Sequence, residues 1–196
     1  MKTRYIAILI LFSILINYIV VHGQEKGFSK NNMKVGLGLG ASMGNNTDGV
    51  GFVYTIGYQR EIWKDRLRLN PNFSIGHYSS KFILDARDQY FNSISIETNL
   101  YYDLIKIKLF SLVLGCGGLV NNSRGLKGTG GDPNGYTEPP TSEYISDFYF
   151  GGYLGGGFRI NSPNKRTAIN IMPINLHFGN NYFAEFHAKI ELDFKF

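Results

Sequence analysis

The chain has 196 residues, of which 43% are hydrophobic, 15% aromatic and 18% charged, with 24 glycines and one cysteine. So much aromatic and aliphatic surface excludes intrinsic disorder, and the lone Cys116 excludes both an intrachain disulfide framework and a cysteine-based zinc or iron–sulfur centre. The formal charge of +5 falls to about +3 once Lys2 and Arg4 of the leader are set aside, and no Lys/Arg cluster of the nucleic-acid-binding kind is present.

Residues 1–23 read as a secretory signal. Lys2 and Arg4 form its positive start, and Ile6–Val21 its apolar core, interrupted only by Ser13 and Asn17. That core is too short for the roughly 20 residues of a membrane-spanning helix, so cleavage near Gly23 is expected. No cysteine stands at the cut to carry a lipoprotein anchor. Residues 24–32 are then expected to be a short periplasmic segment, and 33–196 the folded domain.

From there the chain alternates with period two, which separates two unlike faces on a strand and would scatter them around a helix. Met33–Gly44 sets Val35, Leu37 and Leu39 against Lys34, Gly36 and Gly38. Val50–Arg60 sets Phe52, Tyr54 and Ile56 against Val53, Thr55 and Gly57. Leu67–Tyr78 sets Leu69, Phe73 and Ile75 against Arg68, Asn70 and Ser74, and Tyr90–Asp103 sets Ile94, Ile96 and Leu100 against Ser95, Glu97 and Asp103. Ile107–Val120 and Thr167–Phe178 are apolar on both faces, so their register stays open and a bulge is admissible. Tyr144–Ile160 sets Phe148, Phe150 and Phe158 against Asp147, Gly151 and Arg159. The last segment, Tyr182–Phe196, places Phe186, Ile190, Leu192, Phe194 and Phe196 opposite Glu185, His187, Lys189 and Glu191. Pro71 and Pro173 each remove one ladder donor and read as local defects.

Eight strands are joined by short turns at Glu61–Arg66, Asp103–Lys106 and Asn161–Arg166. Longer loops are expected at Ser79–Gln89 and Asn121–Glu143, the second rich in glycine and proline. Short turns at one end and longer loops at the other describe an all-β, eight-stranded antiparallel up-and-down transmembrane β-barrel. Alternation alone does not say which face points outward, since a soluble calyx shows the same period reversed. The glycines favour an apolar exterior: Gly36, Gly38, Gly40, Gly151, Gly155 and Gly157 weaken a water-facing surface, but in a narrow lumen they make room for long neighbours. Aromatic residues near strand ends (Tyr54, Trp63, Tyr78, Tyr90, Tyr101, Tyr144) fit the girdles of a membrane barrel.

The leader, the eight alternating segments and the terminal Ile190-x-Leu192-x-Phe194-x-Phe196 resemble small outer-membrane β-barrel proteins of Gram-negative bacteria. The pattern is most similar to the PorT-like, barrel-only relatives of the OmpA type in the Bacteroidota. The resemblance implies that Ile190, Leu192, Phe194 and Phe196 form the signal read by the barrel-assembly machinery, with outer-membrane lipid as surroundings.

The inward face then carries both signs of charge. Lys34, Arg68, Arg159 and Lys189 meet Glu97, Asp103, Asp147, Glu185 and Glu191, and buried charges are costly unless paired. The expected function is non-enzymatic: a plugged polar lumen, with a structural or surface-interaction role through the outer loops, and a surface ligand or protein partner at 121–143. The alternatives are a lipid-modifying enzyme or a carrier of small apolar molecules. The lipid A 3-O-deacylases have a His-x-Ser motif near this point of the seventh strand, but here His177 is followed by Phe178 and Gly179, so no serine nucleophile stands there. No cofactor or metal is expected, and nucleic acid is not a partner.

Overall fold

The computed structural model describes residues 30–43, 49–63, 66–79, 90–130, 141–163 and 166–196. The leader and residues 24–29 lie outside the described residues, and the expected periplasmic segment 24–32 is shortened, because Asn31 and Asn32 already belong to the first strand. Eight antiparallel strands form one closed ring in sequence order: β1 (Asn31–Met43), β2 (Gly49–Trp63), β3 (Leu67–Ser79), β4 (Tyr90–Ile107), β5 (Phe110–Gly130), β6 (Thr141–Asn161), β7 (Thr167–Gly179) and β8 (Ala184–Lys195). The ring closes where β1 pairs with β8, from Asn32 opposite Lys195 to Met43 opposite Ala184.

Alternation sets the two surfaces. Lys34, Thr55, Asn70, Glu97, Asn121, Arg159 and Lys189 are buried inside, while Leu39, Phe52, Ile96, Phe150, Ile190 and their neighbours are exposed outside. The sheet therefore turns the pattern of a water-soluble core inside out. In a ring every strand has two partners, so no ladder edge is left along the shared height of the wall.

Departures from strict alternation fall at bulges, and these redraw several expected boundaries. The turn expected at Asp103–Lys106 is strand. A register shift between Asp103 and Ile105 keeps Asp103 inside while Leu104 and Ile105 both face out, and β4 continues to Ile107 before a two-residue turn at Lys108 and Leu109. A second shift, between Glu61 and Trp63, carries β2 three residues into the expected Glu61–Arg66 turn. In β7 the register slips between Met172 and Asn175, around Pro173. Met172 and Asn175 both point inward, with Pro173 and Ile174 outside between them. Pro71 acts differently: the β3–β4 ladder runs through it opposite Thr98, but the β2–β3 ladder skips from Gly57–Asn72 to Arg60–Leu69. Its missing donor is thus spent on one side of the strand only.

Two further expectations change. The final strand starts at Ala184, because Asn181 and Tyr182 adopt left-handed φ of 53° and 58° in the preceding turn, and it ends at Lys195. Phe196 follows it, its N–H donating to the Asn31 carbonyl at 3.2 Å. Of the loop expected at Asn121–Glu143, residues 121–130 and 141–143 are strand, and 131–140 lie outside the described residues. The glycines there sit in the ladder, Gly125 opposite Ile145 and Gly128 opposite Ser142, with a register shift between Gly128 and Gly130. The β4 and β7 ladders stop at Tyr90–Leu126 and Gly151–Gly179, so the β5–β6 ribbon stands above its neighbours at the loop end.

Candidate functional site

The interior is the place where the chain concentrates chemistry, and it is arranged in tiers along the axis. At the turn end Arg68 grips Asp103 through both terminal nitrogens, Nη1–Oδ2 at 2.9 Å and Nη2–Oδ1 at 2.6 Å. Beside it Arg159 pairs with Asp193. Arg159 also donates to Asn170 at 3.1 Å and Asn161 at 3.2 Å, while Asn170 Nδ2 donates to the other Asp193 oxygen at 2.9 Å. Paired, hydrogen-bonded geometry of this kind is what offsets the loss of water around buried ions.

The next tier centres on Glu191, whose two oxygens each receive a lysine at 3.0 Å, Lys34 on one and Lys189 on the other. The lysines also lie over aromatic rings, Lys34 Nζ 4.7 Å from the Tyr101 ring centre and Lys189 Nζ 5.7 Å from that of Tyr153. The two tyrosine hydroxyls are 3.0 Å apart, and Tyr153 donates onward to Asn175 at 2.8 Å. Above them His177 stands between two carboxylates, each 3.4 Å from one ring nitrogen: Glu97 at Nε2 and Glu185 at Nδ1. Glu97 also accepts from Ser74 at 2.6 Å and Asn99 at 2.8 Å. A small cluster of Asn121, Ser93, Ser95 and Ser123 follows, and stacked pairs close the loop end, Tyr78 on Phe91 and Tyr149 on Phe183.

Eight of the nine charged residues singled out from the sequence thus lie buried, in three tiers along the axis. Asp147 lies apart: half-buried near the loop end, 3.4 Å from the Tyr149 hydroxyl, its backbone carbonyl accepting from Asn122 at 3.0 Å. The sequence places Asp193 on the polar face of the last strand, but the expected charge network leaves it out and gives His177 only a structural place near a strand end, although both share the parity of their inward neighbours. Tyr78 and Tyr101 are also moved, from the expected exterior girdle to the lumen, where they are 0% and 2% exposed. Ile190, Leu192, Phe194 and Phe196 all face outward from the last strand or just beyond it.

Against solved structures, the chain is similar in fold to three bacterial proteins. It overlays on Neisserial surface protein A with a TM-score of 0.61 at 14% identity, over 87% of this chain and 100% of that one. The attachment invasion locus protein Ail of Yersinia pestis gives 0.54 at 9% identity, covering 85% and 97%. The N-terminal β-barrel domain of Pseudomonas aeruginosa OprF gives 0.52 at 10% identity, covering 87% and 100%. The likeness is one of fold. No protein-family model matches the sequence, and no curated protein sequence matches it either.

Within this fold, the carboxylate neighbours of His177 are Glu97 and Glu185. Ser74 hydrogen-bonds Glu97 and not the imidazole. Among the described residues, no three His, Cys, Asp or Glu side chains are grouped to hold a metal ion. What the arrangement does chemically is hold ions against one another across a closed wall.

Proposed function

We propose that the chain is a non-enzymatic outer-membrane β-barrel protein with a plugged polar lumen, and that it serves a structural or surface-interaction role through its loop end. One observation carries the reading: the ionic groups are buried inside the ring, and the exposed wall is made of Leu37, Leu39, Phe52, Ile56, Ile96, Phe150 and Ile190. Water on that wall would meet apolar surface continuously, and hydrocarbon would meet what it solvates best. A closed ladder also satisfies the demand that lipid makes on every backbone N–H and C=O.

The leader read at residues 1–23 supports export, with cleavage near Gly23, and the barrel-only, PorT-like resemblance supports an outer-membrane address. The outward Ile190, Leu192, Phe194 and Phe196 support recognition by the barrel-assembly machinery. Two of the structural neighbours are a surface protein and an attachment invasion locus protein, which supports a contact role for the end where the β5–β6 ribbon rises. The test is fractionation followed by gel electrophoresis with and without boiling. A band in the outer-membrane fraction that shifts on heating is expected, while a soluble periplasmic band of fixed mobility defeats the reading. A changed lipid A profile in cells lacking the gene, read by mass spectrometry, would instead favour a lipid-modifying enzyme.

A further inference from the structure

We propose that the turn end of the barrel holds a binding site for a compact oxyanion, either a phosphate monoester or a carboxylate. The inference goes beyond the function proposed above and does not depend on which membrane surrounds the wall. A cavity of about 70 Å³ lies there, lined by Arg68 and Arg159 at its back and by Lys106, Lys108 and Lys195 around it. The two carboxylates that also line it are already engaged, Asp103 by Arg68 and Glu61 by Lys195 at 3.0 Å.

The donors are not all used. Arg68 spends both terminal nitrogens on Asp103, but its Nε has no hydrogen-bond partner among the described residues. Arg159 spends Nη1 on Asp193 and Asn170, and Nε on Asn161, and its Nη2 has none. Both side chains are at least 97% buried. A buried guanidinium N–H without an acceptor is costly, and a planar guanidinium suits an oxyanion that can take two such bonds. Lys108 makes no ion pair among the described residues. It occupies the β4–β5 turn with a left-handed φ of 50°, a conformation that glycine adopts at less cost. Among the described residues each lining carboxylate already faces a cation, buried guanidinium donors remain, and the space is of the order of one phosphate or carboxylate group. An anion would satisfy these N–H groups and add an attraction to Lys108 that water does not provide.

The experiment uses the barrel folded in detergent micelles, titrated by isothermal calorimetry with inorganic phosphate and separately with acetate at constant ionic strength. Saturable heat with at least one probe is expected. Phosphate alone assigns a phosphate monoester, acetate alone a carboxylate, and both together a site selecting charge and size. The Lys106→Gln/Lys108→Gln double variant should bind about tenfold or more weakly. Arg159→Lys, which keeps the charge but loses the planar fork, should also weaken binding. The heat-modifiable gel shift of each variant shows separately that its barrel has formed. No saturable heat from either probe with the parent barrel, or undiminished affinity in the folded double variant, overturns the proposal.

Discussion

Tyr101 and Tyr153 meet hydroxyl to hydroxyl at 3.0 Å, from strands on either side of β5, because two glycines leave them the space. A Cβ on Gly115 would strike the Tyr101 ring, and one on Gly155 would strike the Tyr153 phenol. The lumen is therefore fitted glycine against aromatic, and its midpoint has no slack.

Gly155→Ala should accordingly cost about 1–3 kcal/mol in reversible unfolding from detergent or vesicles. In a Tyr153→Ala background the same change should cost almost nothing further. Equal penalties in both backgrounds would show that the ring and the glycine are not coupled.

Glu191 is the only carboxylate within ion-pair reach of Lys34 and Lys189 among the described residues. Glu191→Gln leaves two buried ammonium groups facing an amide, and a loss of about 3–5 kcal/mol is expected. Glu61→Gln breaks a single pair with Lys195 that is less deeply buried, and it should cost less than Glu191→Gln. Denaturant midpoints of the two variants, measured side by side, check the ranking.

Leu100 faces outward between Leu69 and Cys116 on the neighbouring strands. Leu100→Arg should destabilise the barrel by about 2–4 kcal/mol in vesicles if that level is near the midplane. Glu97→Gln, three residues along and inside, should act through Ser74, Asn99 and His177 instead. Unfolding of the two variants in bilayers of different thickness separates them, because only the arginine variant should respond to thickness.

Cys116 is exposed on the same outer wall, opposite Leu100 and Leu154. In vesicles its thiol should resist a charged maleimide and react with an apolar one. Rapid labelling by the charged reagent would place water, not lipid, at that height.

The plugged lumen proposed above is built on the tiers of Arg68–Asp103, Lys34–Glu191–Lys189 and Glu97–His177–Glu185. Planar-bilayer recordings should show a quiet baseline, and steady large openings would contradict a plugged lumen.

Much of this architecture was readable from period-two alternation. Residues such as Arg68, Glu97, Arg159 and Lys189 fall on the inward parity of strands whose other face is apolar, and burial follows from parity alone. Boundaries were harder because a bulge adds one residue without changing composition. Asp103-Leu104-Ile105 looks like a polar stop followed by a new start, and only the paired strand reveals that the chain keeps going. Glycine misled at 121–130 for a related reason: it marks loops in water, but in a ladder it is simply a small residue. Asp193 and His177 carried the right parity, but which side chains meet across a lumen depends on the stagger between strands, and no single strand contains that information.

The raised β5–β6 ribbon separates two things that a barrel ordinarily ties together. Among the described residues, the ladder partners of Lys127 to Gly130 are Thr141 to Glu143, above the level where the β4 and β7 ladders end. An epitope spliced between Gly130 and Thr141 would lengthen the raised ribbon, not strain the cylinder beneath it. The same independence would let natural variants exchange this ribbon wholesale while the eight staves below stayed as they are.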